Sequence, residues 1–239
     1  MLPVLIVQND PQEGAGSLAT LMAKRGLSQF IVQGFNAPYA ELTPERFSAL
    51  IILGGAQSAY ETEAYPYLER EMALVTAFMS ADKPIAGFCL GAQILAAALG
   101  GDVCAGAQKE IGWYDLTLRD EAADDPLLKG HPKTLLSYHF HGDVIRHIPN
   151  GIVLASSEMT PWQTFRHGQK AYGFQYHAEV NRSLLADMCR NNESYLAANG
   201  IDADALIVAS QPHLADFEHH CAGILERWLD LFSIAEEVR

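Results

Sequence analysis

Residues 84–93, Pro84-Ile-Ala-Gly-Phe-Cys-Leu-Gly-Ala-Gln93, run directly into Ile-Leu-Ala-Ala-Ala-Leu-Gly100. The first half has the length and composition of a buried strand. The second half places apolar residues at helical spacing up to the pair Gly100-Gly101. Cys89 stands at the join. A residue in a sharp strand-to-helix turn holds a strained backbone, and small neighbours such as Gly87 and Gly91 let the two elements approach. The turn lifts the side chain over the C-terminal edge of the sheet. There the free N–H groups and positive dipole end of the following helix favour a thiolate, and any oxyanion forming beside it. A free cysteine is otherwise a small buried hydrophobe. The glycines and the turn make Cys89 the candidate nucleophile instead.

Outward from this stretch, the N-terminal half alternates strand and helix. Strands are expected at Pro3 to Val7, Ser28 to Val32 and Ala49 to Leu53, the last ending at Gly54-Gly55. Helices are expected from the Gln8 to Gly14 loop to about Arg25, with Gly26 as the stop, and from about Pro66 to Met79. Such alternation requires crossover connections, and hence a parallel sheet covered by helices on both faces. Ligands collect at the C-terminal strand ends of these sheets, where Gly54-Gly55 and Cys89 both fall. Beyond Gly101, strands are expected at Val103, Ile111 to Leu118, Thr134 to Phe140, Ile152 to Ser156, Gln163 to Arg166 and Ala171 to His177, joined by short turns as an antiparallel addition. From Asn181 the chain reads as helical, broken at Asn199-Gly200 and at Pro212, with an amphipathic face from Leu214 to Phe232. No linker or repeat marks a boundary, so 1–239 is expected as one domain, with a core over 1–190 and a helical extension over 191–239.

Composition narrows the function. The 239 residues are 49% hydrophobic and 19% charged, with a formal net charge of -13. That balance opposes nucleic-acid binding, which needs clustered Lys and Arg. Cys89, Cys104, Cys189 and Cys221 form no C-x-x-C pair, so neither a zinc site nor a disulfide framework is implied, and the last three are expected to be structural. The N-terminal apolar run lacks a basic segment and a small-residue cleavage site, and no stretch reaches membrane-spanning length. The expectation is a cytoplasmic protein with no membrane partner.

A nucleophilic cysteine needs a base. Among nine histidines, His177 ends the apolar run Tyr172-Gly-Phe-Gln-Tyr176 and precedes Glu179 by two positions. A strand end places it in the cleft of the elbow, and a carboxylate behind an imidazole fixes its tautomer and stabilises its charged form. His139-Phe-His-Gly-Asp143 also has spacing that brings two imidazoles and a carboxylate to a metal, but Val144 stands where metallo-hydrolases carry a further histidine, and no metal is expected. Trp113 and Trp162 are expected in the core.

Together, Leu53-Gly-Gly55, Gly87-Phe-Cys-Leu-Gly-Ala-Gln93 and Gly173-Phe-Gln-Tyr-His-Ala-Glu179 resemble the motifs of the class I glutamine amidotransferases in order and spacing. Lys109-Glu-Ile-Gly-Trp113 and His141-Gly-Asp143 look like stand-alone members similar to the glutaminase domain of GMP synthase. The resemblance covers about residues 1–190 and implies a flavodoxin-like α/β fold with a mostly parallel central sheet. It makes Cys89 the nucleophile, His177 the base and then acid, and Glu179 the residue orienting His177. It further implies an oxyanion hole from the N–H groups of Gly55 and Leu90, with Gln93, His141, Gly142 and Asp143 around the amino-acid end of glutamine. The family usually has proline where Ala56 and Ala178 stand.

The implied reaction is hydrolysis of glutamine to glutamate and ammonia through a γ-glutamyl thioester, without a cofactor. No G-x-x-x-x-G-K-[ST] loop is present, so any ammonia-consuming synthetase would be a separate chain. Two other readings stand beside it. One is a hydrolase of γ-glutamyl peptides or conjugates, using the same residues on another leaving group. The other is a subunit inactive without its partner, docking through Leu214, Phe217, Ile224, Leu225 and Trp228.

Overall fold

The computed structural model describes residues 2–233. Its nine strands form a single sheet of order β2-β1-β3-β4-β9-β8-β7-β5-β6. β1 (Val4–Gln8), β2 (Gln29–Gln33), β3 (Leu50–Ile52), β4 (Ile85–Phe88) and β9 (Ala171–Phe174) pair in parallel. β8 (Thr164–His167), β7 (Ile152–Ser156), β5 (Asp102–Leu118) and β6 (Thr134–His147) continue it antiparallel. The two halves are the parallel sheet and the antiparallel addition expected.

The apolar run of β1 serves both faces, because successive side chains point to opposite sides. Val4 and Ile6 pack in the layer with Leu18 of α1 (Gly16–Lys24), Leu185 of α4 (Arg182–Asn191) and Trp228 of α6 (Ala203–Ser233). Leu5 and Val7 pack in the opposite layer with Val75 of α2 (Tyr67–Ser80) and Ile94 of α3 (Leu90–Ala98). The helix α5 (Glu193–Ala198) follows α4 and ends before Gly200, whose φ of +74° stops it.

Two expectations are corrected. The segments Val103 and Ile111 to Leu118 belong to one long strand, β5, whose register against β6 shifts between Ala105 and Glu110. The extra residues bow out there and shape a wall of the cavity described below. Pro212 does not break the last helix, which runs through it from Ala203 to Ser233. Leu214, Phe217, Ile224, Leu225 and Trp228 are all buried against the chain's own layer, and this tertiary packing outweighs the backbone hydrogen bond that proline removes. The face weighed as a docking surface is thus covered from within. Residues 234–239 of the expected extension lie outside the described residues. Trp113 is partly buried and its indole N–H donates to Ser210, while Trp162 is buried. Cys189 and Cys221 are buried, Cys104 partly so, and all four cysteines are free.

Among the described residues no helix is long and apolar enough to cross a membrane.

Candidate active site

Cys89 follows the last residue of β4 and caps α3 with φ 49° and ψ -110°. A non-glycine residue at positive φ is costly, of order 1–3 kcal/mol, and persists only where its surroundings fix it. Here they do. The Cys89 N–H donates to the Phe174 carbonyl at 2.8 Å, its own carbonyl accepts from Ala92 and Gln93 N–H, and α3 is clamped onto the sheet. A Cβ at Gly87 would meet the Gly91 and Ala92 backbone, and one at Gly91 would run into the backbone of Ile52. Only glycine permits these approaches.

β4 and β9 are adjacent and parallel, with Phe88 opposite Phe174. The chain leaving β9 therefore passes beside the elbow. Its path is fixed by hydrogen bonds from Gln175 N–H to Gln163 O, from His177 N–H to Tyr138 O, and from Ser17 N–H to Glu179 O. His177 Nδ1 lies 2.8 Å from Glu179 Oε1, and both side chains are almost fully buried. Nε2 is buried without a well-formed hydrogen bond, and Cys89 is the polar group it faces in a looser contact. Burial alone would lower the His177 pKa, but the charges of Glu179 and Cys89 outweigh it and hold the imidazole well above its ordinary value. The Cys89 sulfur is also 3.8 Å from the Phe140 carbonyl.

These residues line a cavity of about 520 Å³. Gly55 and Leu90 line it together with Cys89, and neither backbone N–H makes a hydrogen bond among the described residues. Two unpaired backbone donors thus belong to residues that line the same cavity as the sulfur. The far wall carries His141, Gly142 and Asp143 opposite the bowed segment of β5. Gln93 donates to the Asp143 carbonyl at 3.4 Å and to Gln175 Oε1 at 3.3 Å, so its amide braces this wall as well as lining the cavity. The Tyr60 hydroxyl reaches Asp143 Oδ1 at 3.3 Å.

Both ring nitrogens of His141 are engaged within the protein. Its Nδ1 contacts the Asp143 carbonyl at 3.0 Å and its Nε2 lies 3.3 Å from Glu110 Oε2. Glu110 also accepts from Thr160 at 2.5 Å and Gln163 at 2.8 Å. Burial would raise its pKa, but hydrogen bonds from His141, Ser157 and Thr160 pull it down to about 2. Among the described residues, Glu110, His139 and His141 are the group with metal-ligand geometry, their ligand atoms lying within 4.8 Å of one another. Asp143, the carboxylate of the sequence spacing, is not part of it.

Several residues of the cavity carried no assignment in the sequence reading. Glu13, in the loop after β1, faces His177. Lys109 stacks its ammonium over Tyr195, 4.4 Å from the ring centroid, and its stem lies against Gly142. The rule that ligands gather beyond the C-terminal strand ends pointed to the Glu13 loop, which follows β1 beside β3.

The class I glutamine amidotransferase family matches residues 16–193. The glutamine amidotransferase-like protein YfeJ of Salmonella typhimurium is 30% identical over 197 residues, covering 81% of this chain and 82% of that protein. A GMP synthase of Leifsonia xyli is 34% identical over 69% of the chain, which spans 32% of that enzyme. A glutamine amidotransferase of Thermotoga maritima superposes with a TM-score of 0.86 at 26% identity, covering 95% of this chain and 97% of that one. With the elbow, the adjacent imidazole and carboxylate, and a match over most of its length, the chain belongs to the class I glutamine amidotransferases.

Proposed function

We propose that this protein hydrolyses a γ-glutamyl amide, with glutamine as the parent substrate, through a thioester on Cys89. The observation that carries this reading is that His177 interacts with both Cys89 and Glu179, in a cavity that Gly55 and Leu90, with their unpaired N–H groups, also line. The thiol proton of Cys89 passes to His177 Nε2, whose raised pKa favours the charged form, and the sulfur bonds to the γ-carbonyl carbon. The carbonyl oxygen, now an oxyanion, accepts from Gly55 and Leu90 N–H, each donor worth roughly 3 kcal/mol of barrier. When the C–N bond breaks, the nitrogen takes the proton from His177 and leaves as an amine. Water then attacks the thioester, giving its proton to His177, which returns it to the departing sulfur. Glu179 keeps the imidazole oriented and stabilises its charged form throughout.

At the other end, the glutamyl α-ammonium and α-carboxylate fall between Asp143 and Lys109, which offer the opposite charges, with Gln93, His141 and Gly142 holding that wall. No cofactor enters these steps. Four free cysteines accord with a reducing, cytoplasmic setting. The chain spans about a third of the GMP synthases it matches, and the ammonia-consuming activity that this reading calls for is that of a synthetase.

The test is incubation of the full chain with glutamine and with γ-glutamyl conjugates, followed by intact-mass spectrometry and assay of glutamate. A γ-glutamyl adduct on Cys89 with glutamate release, both lost in Cys89→Ala, is expected. Absence of adduct and of release with every amide overturns the reading.

A further inference from the structure

Three groups converge on Gly54. A Cβ built there would meet Glu13 Oε2 at 2.5 Å, His177 Cε1 at 3.2 Å and Cys89 Cβ at 3.7 Å. Glu13 thus stands near the Cε1 corner of the imidazole, lining the same cavity as Cys89 and His177. Its backbone is pinned, with its carbonyl accepting from Gln8 Nε2 at 3.1 Å and its N–H donating to Asp10 O at 3.0 Å. Its carboxyl makes no hydrogen bond among the described residues. The carboxyl is half-buried at the cavity wall with its hydrogen-bonding capacity unused by the protein, so it is free to meet a ligand in the cavity.

The proposed reaction says what arrives there. The atom that must reach His177 Nε2 is the leaving nitrogen, so whatever that nitrogen carries extends along the imidazole edge toward Glu13. The end with Lys109 and Asp143 is occupied by the glutamyl portion. We propose that Glu13 forms a leaving-group subsite that takes an amine: ammonia itself, or a cationic amine such as the free end of a diamine. Leaving groups that bear a carboxylate are disfavoured there. The inference rests on the γ-glutamyl reading and narrows its substrate class to γ-glutamyl amides of ammonia and of cationic amines, against γ-glutamyl amino acids.

The electrostatics agree. Burial lifts the Glu13 carboxyl to about 7, with His177 opposing and Asp10 and Glu179 reinforcing the rise. An amine that takes up a proton beside it restores the ionised carboxylate and pairs with it, whereas a second carboxylate meets repulsion. The bond changes stay those of the proposed hydrolysis. The nitrogen leaves with the His177 proton, and Glu13 forms no covalent bond.

The experiment compares glutamine, γ-glutamyl-1,4-diaminobutane and γ-glutamylglycine as substrates of the full chain and of Glu13→Gln, with acylation of Cys89 followed by mass spectrometry. In the unaltered protein kcat/KM for the diamine conjugate is expected to exceed that for the glycine conjugate by about tenfold or more, as one charge pair of this kind supplies. In Glu13→Gln the ratio falls toward one. A second measurement needs no variant, since free 1,4-diaminobutane is expected to inhibit glutamine hydrolysis at lower concentration than free glycine. Acylation of Cys89 with a ratio that Glu13→Gln leaves unchanged, or equal inhibition by the two amines, overturns the inference alone. No acylation by any of the three amides overturns it together with the hydrolase reading.

Discussion

Glu110 Oε2 lies 3.3 Å from His141 Nε2 behind the cavity wall, and the same ring holds the Asp143 carbonyl at 3.0 Å through Nδ1. The chain of contacts runs from a buried carboxylate on β5, through an imidazole, to the backbone at the cavity wall. Its energetics are those of a buried charge satisfied by several donors, where removing one member strands the others.

Glu110→Ala strands His141, Thr160 and Gln163 in the interior and is expected to destabilise the protein by roughly 3–5 kcal/mol in denaturant unfolding. Glu110→Gln keeps the volume and is expected to cost less, roughly 1–3 kcal/mol, while raising KM for the γ-glutamyl substrate as the 141–143 wall loosens. The pH sign follows from the direction of the shift. A carboxyl held near 2 in the fold, against an ordinary 4.5, contributes stability that is present above 4.5 and is lost as pH falls toward 2. His139, kept near 3 chiefly by burial with the His141 charge adding to it and Glu110 opposing, acts in the same direction, because the unfolded ring takes up a proton that the native one refuses. The acid limb of the stability profile is therefore expected to be steep in the unaltered protein and flatter in Glu110→Gln. An equal acid limb in the two proteins contradicts this account.

Glu71 sets the other limb. Its carboxyl is fully buried on α2 and lies within reach of Asn9 Nδ2 at 3.3 Å and the Tyr39 hydroxyl at 3.2 Å. Burial raises its pKa to about 7, with those two hydrogen bonds opposing. The folded protein thus holds a proton that the unfolded chain has released above 4.5. Its stabilising contribution is full below 4.5 and declines as pH rises through 7, by roughly 3 kcal/mol for a shift of this size. Unfolding free energies measured between pH 5 and 8 are expected to fall across the range, and Glu71→Gln is expected to remove much of that slope. Because Asn9 also donates to the Leu53 carbonyl at 3.4 Å, next to Gly54-Gly55, the same variant is expected to slow turnover modestly.

The elbow was legible because its cause is local: glycines at 87 and 91 on either side of one cysteine have few uses other than close passage of strand and helix. The doubly covered parallel half was legible for a similar reason, since the continuous apolar runs at 4–7 and 50–53 suit strands with no solvent face. Other features were set by contacts that no local pattern carries. Pro212 reads as a break by backbone rules, yet Leu214, Phe217 and Trp228 bury a face that keeps the helix continuous past it. Glu13 and Glu110 look in sequence like any solvated carboxylate, and only the packing around them shows one facing the imidazole edge and the other locked to His141. The meeting of Cys89 with His177 lay between. Each was expected at a strand end, which holds for Cys89 just after β4, whereas β9 stops at Phe174, three residues before His177, and their adjacency depends on β9 returning beside β4 after the antiparallel excursion.

The Glu179–His177 pair gives the most direct test of how the site works. The carboxylate accepts from Nδ1, which leaves Nε2 to face Cys89, and with the Cys89 charge it holds the imidazole pKa well above normal against the burial that would depress it. Glu179→Gln keeps the shape and removes the charge. With desolvation then less opposed, the His177 pKa is expected to fall toward or below its ordinary value, which an imidazole titration by NMR reads directly. The side-chain amide also allows the wrong tautomer, with the proton on Nε2, so that the ring no longer accepts from the thiol. The expected loss in kcat is roughly 10²–10⁴-fold, with a smaller change in KM, because orientation and charge act on the transition state more than on the bound substrate. A lowered pKa with turnover intact would mean that His177 is not the base, and the thioester route proposed for Cys89 would then need another proton acceptor among the groups lining the cavity.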